Sequence, residues 1–198
     1  MDPAASLRIG CLVMAAGNAS RFGANKLAAE LDGRTLIERA LDAVPKGMFA
    51  AVCVASQYEG IEELAGKYGF AAIHNAHPDW GLSYTIRLGT QAMRACDGIL
   101  YLVADQPLLR RDSVQRIAEA WLRTPEKIAG ASHEGRRGNP NLFPARFFPE
   151  LLALEGDCGG NLVIKRHTED YLPVELAPEE LRDCDIPQEL AALRIQAE

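Results

Sequence analysis

The sequence predicts one α/β domain in which a mostly parallel, twisted sheet carries helices on both faces. Short apolar runs alternate with longer amphipathic ones along most of the chain, the pattern of strands and crossover helices. A glycine-rich loop directly follows the first apolar run, and an acidic residue closes a later one. In open α/β sheets the carboxyl edge of the strands is where ligands bind. At 198 residues the chain holds one domain with a full core and is short for two. It shows no internal repeat, low-complexity segment or linker, so residues 1–198 read as a single domain.

Taken in order, Leu7 to Ala15 (LRIGCLVMA) reads as a buried first strand. Thr35-Leu36-Ile37-Glu38 is a capping box opening a helix whose apolar face is Leu36, Ile37, Ala40, Leu41 and Val44, ended by Pro45 and Gly47. Ala50 to Ala55 is a second strand, followed by a helix around Ile61 to Tyr68 and a short strand from Ala71 to His74. Ser83 to Ala95 reads as a helix and Gly98 to Val103 as the next buried strand. Asp112-x-x-Gln115 is expected to cap a helix running through Leu122, and Ile128 to Ala131 reads as a further strand. From Glu134 to Pro140 the rhythm breaks into what reads as a turn-rich stretch. Two short helical pieces follow, near Arg146 to Leu154 and Gly160 to His167. Tyr171 to Glu175 reads as a late strand, and Pro187 as the first turn of a C-terminal helix.

Composition narrows the function classes. Hydrophobic residues make up 48% and charged residues 24%, which is globular and argues against disorder. A formal net charge of -6 argues against a non-specific binder of nucleic acid or anionic membrane, both of which need a basic surface. Cys11, Cys53, Cys96, Cys158 and Cys184 form no C-x-x-C pair, so they read as reduced thiols of a cytoplasmic protein. The first apolar stretch, Ile9 to Ala16, is too short to span a bilayer and follows no basic region, so no targeting segment or membrane span is expected.

The segment Met14-Ala15-Ala16-Gly17-Asn18-Ala19-Ser20-Arg21-Phe22-Gly23-Ala24-Asn25-Lys26-Leu27 carries the most information. Small residues and glycines let backbone N–H groups approach phosphate oxygens, and such nests hold anions without side chains. Arg21 and Lys26 add the positive charge a triphosphate needs. A P-loop would place a lysine directly after its second glycine, and Gly17 and Gly23 stand too far apart for a dinucleotide fingerprint. On these grounds alone the segment is either a phosphate cradle or a surface turn with two solvated cations.

The full string A-A-G-x-x-x-R-F-G-x-x-K-L resembles the signature of the nucleotidyltransferases related to the molybdopterin guanylyl- and cytidylyltransferases. It departs at the family's serine, where Ala19 stands with Ser20 one place later. The resemblance implies the three-layer, Rossmann-like fold of nucleotide-diphospho-sugar transferases. It also implies that Ala15, Ala16, Gly17, Asn18, Arg21 and Lys26 contact the nucleotide. Further along, Trp80 to Gly89 (WGLSYTIRLG) looks like the family's G-L-S-x-S-[IL]-R-x-G, with Thr85 for the second serine. That match adds Gly81, Ser83, Thr85 and Arg87 as nucleotide contacts. By chemistry alone, Ser83 and Thr85 suit a base or ribose edge and Arg87 a phosphate, or the segment is a plain N-cap with an exposed arginine.

Asp105 ends the apolar run Leu100 to Ala104. Mg²⁺ takes one or two carboxylates plus phosphate oxygens and waters, so Asp105 is either a first metal ligand or a turn residue. Its setting, Asp105-Gln106-Pro107, matches the family's D-Q-P motif, which implies the metal role. Near the C-terminus, Asp183-Cys184-Asp185-Ile186-Pro187-Gln188-Glu189 resembles D-[IV]-D-T-P-E-D. By that resemblance Asp185 is the second metal contact, with Asp183 on the same side of an extended chain. Mg²⁺ is the implied ion, with Mn²⁺ as the alternative.

The run Gly138-Asn139-Pro140-Asn141-Leu142-Phe143, then Phe147 to Leu152, then Gly156-Asp157-Cys158-Gly159-Gly160, looks like the family's acceptor end and its cytidylyltransferase branch. The resemblance implies that Gly138, Asn139, Pro140, Asp157, Gly159 and Gly160 meet a polar pterin. It places Arg136, Arg137, Lys165 and Arg166 near the pterin's phosphate, while Phe143, Phe147, Leu151 and Leu152 read as core. The implied catalytic set is Arg21, Lys26 and Asp105, and the implied reaction moves CMP from CTP to molybdopterin, with a molybdenum hydroxylase as recipient. Two other functions fit the chain: a nucleotidyltransferase for a sugar or polyol phosphate, and a non-catalytic factor that carries the molybdenum cofactor.

Overall fold

The first apolar run forms strand β1 (Ile9–Ala15), on which Ile9, Cys11, Leu12 and Val13 are all buried. Burial on both faces is what a central parallel strand requires. The structure, a computed structural model, describes residues 7–17 and 25–184. Next come two short strands, β2 (Glu30–Leu31) and β3 (Arg34–Thr35), joined through Asp32 and Gly33 at positive φ of 52° and 73°. Thr35 then starts α1 (Leu36–Asp42) with the expected capping box. Its Oγ1 accepts from the Glu38 amide at 3.3 Å, and the Glu38 carboxylate accepts from the Thr35 amide at 2.9 Å.

β4 (Ala51–Ser56), α2 (Glu59–Lys67), β5 (Ala71–His74), α3 (Leu82–Ala92) and β6 (Gly98–Val103) follow within a few residues of their predicted bounds. α4 (Arg111–Arg123) starts differently from expectation. Asp112 lies inside the first turn and makes no cap, and Arg110 is the N-cap without a side-chain bond. The Arg110 amide instead donates to the buried Glu180 carboxylate at 3.0 Å, so a distant residue does the work expected of a local one.

β7 (Ile128–His133) is followed by a strand where turns were expected. The stretch read as turn-rich is largely strand β8 (Arg136–Pro144). Only Glu134 and Gly135 turn, at φ 47° and 79°, the paired positive φ of a tight hairpin. Gly138, Asn139 and Pro140 lie in a bulge between the pairs Gly130–Asn141 and Ser132–Arg137. A glycine and a proline inside a strand mask its alternation, and a bulge is where both are tolerated. The last elements are α5 (Phe148–Leu152), α6 (Asn161–Arg166) and β9 (Tyr171–Glu175). The expected C-terminal helix at Pro187 lies outside the described residues.

The main sheet has the order β5-β4-β1-β6-β8-β7-β9, with β8 antiparallel to both neighbours and the other pairs parallel. One face is covered by α1, α2 and α4 through Leu36, Leu41, Ile61, Val114, Ile117 and Trp121. The other is covered by α3, α5 and α6 through Ile86, Phe148, Leu151, Val163 and Ile164. The fold is therefore three-layered, α/β/α. Four cysteines are buried, Cys158 is exposed, and all five are free thiols. No described helix is long and apolar enough to cross a membrane.

β1 and β4 run outward toward β5, whereas β6 lies on the opposite side of β1. The chain thus reverses its direction of travel between β1 and β6, and a crevice opens at their carboxyl ends. β1 is held from behind by α3, where Gly89 faces the fully buried Leu12 so closely that any Cβ there would collide with its side chain. Leu12→Ala should lower the unfolding free energy by about 2–5 kcal/mol. Urea denaturation would show this as a lower midpoint with an unchanged slope.

Candidate active site

Lys26 reaches the crevice from a short 3₁₀ turn, Lys26–Ala28. Asn25 caps that turn by accepting from the Leu27 amide at 3.1 Å, and Leu27 inserts into the core as the anchor. At the exit of β1 two carbonyls are pinned. Ser56 Oγ donates to Ala15 O at 3.2 Å, and Gln57 Nε2 donates to Ala16 O at 3.1 Å. Among the described residues, a Cβ placed on Gly17 would meet no atom within 4 Å.

Asp105 stands two residues beyond β6. The Ala104 amide donates to Met14 O at 3.1 Å, which continues the β1–β6 pairing to the edge and fixes where Asp105 emerges. There the Lys26 ammonium donates to Asp105 Oδ2 at 2.7 Å, with side-chain exposures of 13% and 23%. A lysine and an acid far apart in sequence therefore share one site.

A segment near the C-terminus completes this corner. The Cys184 amide donates to Asp105 O at 2.8 Å, and the buried Gln106 donates through Nε2 to Asp183 Oδ1 at 3.0 Å. Glu180, 1% exposed, pairs with Arg110 at 3.0 Å and clamps the segment to the start of α4. Residues 182–184 belong to no strand or helix, and Arg182 has extended angles, φ -82° and ψ 122°.

The facing wall is the start of α3. Asn75 is buried, takes its Oδ1 to the His77 amide and donates to Thr85 Oγ1, each at 3.0 Å. Gly81 has φ 82° and lies against Gly156 O so closely that no Cβ fits, while the Leu82 amide donates to Asp157 Oδ1 at 3.3 Å. Together these walls enclose a cleft of about 750 Å³ lined by Ala16, Gly17, Lys26, Asp105 and Asp183 on one side and Trp80, Gly81, Thr85, Gly156 and Asp157 on the other. Among the described residues, small backbone-rich positions, the Lys26 cation and several carboxylates suit a phosphate site with room for a divalent ion.

A family model, the MobA-like NTP transferase domain, matches residues 11–171. The chain belongs to this family. It is a nucleotidyltransferase, and the sequence resemblance is upheld at that level. Over 194 residues it is 27% identical to the purine catabolism protein PucB of Bacillus subtilis (strain 168), covering 91% of this chain and 93% of that one. A nucleotidyl transferase from Methanothermobacter thermautotroptrophicus superposes with a TM-score of 0.77 at 22% identity, covering 96% and 97% of the two chains. A CMP:2-keto-3-deoxy-manno-octonic acid synthetase complexed with CTP superposes with a TM-score of 0.75 at 13% identity, covering 96% and 98%. These structures share the expected Rossmann-like fold.

In this MobA-like chain the expected site residues divide by position. Ala16, Gly17, Lys26, Gly81, Thr85, Asp105 and Asp157 line one cleft, and Ala15 packs directly beneath it as a buried residue. Ser83 is fully buried, and its Oγ has no hydrogen-bond partner among the described residues. Arg87 does not line the cleft; its guanidinium lies over the Tyr84 ring at 5.4 Å. Gly138 packs on Leu181, Gly159 on Leu82 and Gly160 on Phe143, while Asn139 accepts from Asn141 and Pro140 is buried, so none of the five lines the cleft. Arg136, Arg137, Lys165 and Arg166 are exposed and lie outside it as well. Phe143, Phe147 and Leu151 are core, as expected, and Leu152 is half-buried. Asn18, Arg21 and Asp185 lie outside the described residues.

The cleft also contains residues that motif reading passed over: Trp80 and Asp79 on the wall, and Gln57, Asn75 and Gln106 as supports. Only Gln106 carried a sequence signal, its place in D-Q-P. A divalent ion fits the donor set, because the lining carboxylates Asp105 and Asp183 are hard oxygen donors and no thiol or imidazole lines the cleft among the described residues. Gln106→Leu should cost about 1.5–3 kcal/mol locally, the worth of a hydrogen bond to a charged group. Deuterium exchange at the Cys184 amide should accelerate accordingly, and unchanged exchange there would show that other contacts hold the segment.

Proposed function

We propose that this chain transfers CMP from CTP to the terminal phosphate of molybdopterin, the organic part of the molybdenum cofactor, and releases pyrophosphate. The observation that carries the reading is the 2.7 Å contact between Lys26 and Asp105 at the mouth of the glycine-rich loop. It puts a phosphate-binding cation and a metal-binding acid within reach of one triphosphate. The choice of CTP rests on the resemblance of the run from Gly138 to Gly160, and the same fold holds CTP in the synthetase complex.

In the reaction an oxygen of the acceptor phosphate attacks the α-phosphorus of CTP in line. The new P–O bond forms as the bond to the β-phosphate breaks, and the electron pair leaves with pyrophosphate. The acceptor phosphate is already ionised near neutral pH, with a second pKa of about 6, so no side chain has to act as base or nucleophile. The backbone from Ala15 to Asn18 positions the triphosphate, and Lys26 with Arg21 offsets the charge that builds on the leaving phosphates. Asp105 and, by the sequence resemblance, Asp185 would hold a divalent ion, Mg²⁺ or Mn²⁺, and Asp183 lines the same cleft as Asp105. When bound, that ion supplies further charge neutralisation at the phosphoryl oxygens. The product would pass to a molybdenum hydroxylase, and the relative named for purine catabolism makes a purine-oxidising enzyme the recipient to test first.

The test is pyrophosphate release from CTP, GTP and UTP, each with and without molybdenum cofactor. Release from CTP only when the cofactor is present is the expected result. Release with a sugar or polyol phosphate instead would move the chain to another acceptor class, and cofactor binding without release would make it a carrier. Lys26→Ala and Asp105→Ala should each lower turnover at least about a hundredfold, the loss that follows removal of one preorganised transition-state contact. Near-normal rates in either variant would refute its role. Chelation with EDTA should abolish release, and added Mg²⁺ or Mn²⁺ should restore it.

A further inference from the structure

Trp80 is the large aromatic residue that the nucleotidyl-transfer chemistry leaves without a task. Its side chain is 48% exposed although it lines the same cleft as Lys26 and Asp105. This indole is held in place. The His77 ring lies parallel to it, with centroids 4.0 Å apart and an angle of 7° between planes. Tyr84 meets it edge-on at 4.9 Å, and Arg87 in turn lies over Tyr84. Pro78 opens the short turn that carries Trp80, and Gly81 closes it at a φ of 82°. A ring backed on one side, braced at its edge and set on a stiff turn has lost its freedom before any ligand arrives.

The residues beside it indicate what that ring meets. Asp79 and Asp157 both line the cleft, and a carboxylate accepts hydrogen bonds without offering any. A planar heterocycle with N–H groups along one edge suits an indole face bordered by such acceptors. The reaction brings two such rings into the cleft, the base of the nucleotide and the ring of the acceptor. Trp80 belongs with the second. The next residue, Gly81, abuts Gly156, and the Leu82 amide is held by Asp157, so the indole is built into the same corner as the expected acceptor loop.

We propose that Trp80, backed by His77, is the stacking platform for the planar ring of the acceptor, with Asp79 reading its N–H edge. This rests on the molybdopterin reading above and assigns the acceptor's ring a place in the cleft that Lys26 and Asp105 line.

The test uses the full chain and Trp80→Ala and Trp80→Phe variants. In steady-state assays with molybdenum cofactor and CTP, Trp80→Ala should raise the KM for the acceptor about tenfold while the KM for CTP stays within about twofold, and Trp80→Phe should recover most of the loss. In a second measurement the protein is titrated into 2-amino-4-oxopteridine and the pterin's own emission is read. Quenching by the wild type that is lost in Trp80→Ala supports the platform, even if no CMP transfer to molybdopterin is found and that reading falls. An unchanged acceptor KM, or pterin quenching independent of Trp80, would overturn the proposal while leaving the transfer reaction standing. A rise in the KM for CTP with the acceptor unaffected would overturn it too, by assigning the indole to the base.

Discussion

The site depends on two parallel strands that leave the sheet side by side. β1 and β6 stay in register as far as Met14 and Val103, and one more bond, from Ala104 to Met14, carries the pairing to the edge. Their following segments then begin within one strand spacing of each other, about 4.8 Å. β4 takes the other side of β1, and the cleft opens at these two exits. The Lys26–Asp105 contact is a consequence of this arrangement, since a largely buried ion pair gives back in desolvation much of what its attraction gains. The strands hold the pair together.

The rest of the site is built as supports around that edge. Ser56 and Gln57, from the end of β4, fix the carbonyls of the loop after β1. The segment ending in Asp183 and Cys184 is sewn to the β6–α4 loop through the backbone of Asp105 and the side chain of Gln106. Glu180 shows how strongly that segment is committed to its place. A carboxylate 1% exposed is costly unless its oxygens are used, and it spends them on the amide and guanidinium of Arg110. The same bonds supply the cap that α4 lacks locally, so seating this segment and starting the helix are one event.

The two walls differ in chemistry. Around Ala16, Gly17, Lys26 and Asp105 the surface is backbone, charge and small side chains, suited to phosphates of any nucleotide. Around Trp80, Gly81 and Asp157 it is aromatic and acidic, suited to a flat polar ring.

Much of this was legible in the chain itself. Periodicity located the strands and helices, the capping box at Thr35 appeared as written, and the string from Ala15 to Lys26 with the D-Q-P motif named the two groups that meet. Local rules were sufficient there because each feature depends on residues within a few positions of one another. They failed where the partner is remote. β8 was obscured by Gly138 and Pro140, which are tolerated because β8 itself bulges there against β7, and the cap of α4 comes from Glu180. Gly138, Gly159 and Gly160 each face a large apolar side chain, a packing contact that sequence spacing does not reveal. The sequence by itself determined which residue types carry phosphate and metal chemistry and on which elements they sit. The tertiary structure decided which of them share a cleft, because strand order and long-range hydrogen bonds set those distances and neither is written in any local window.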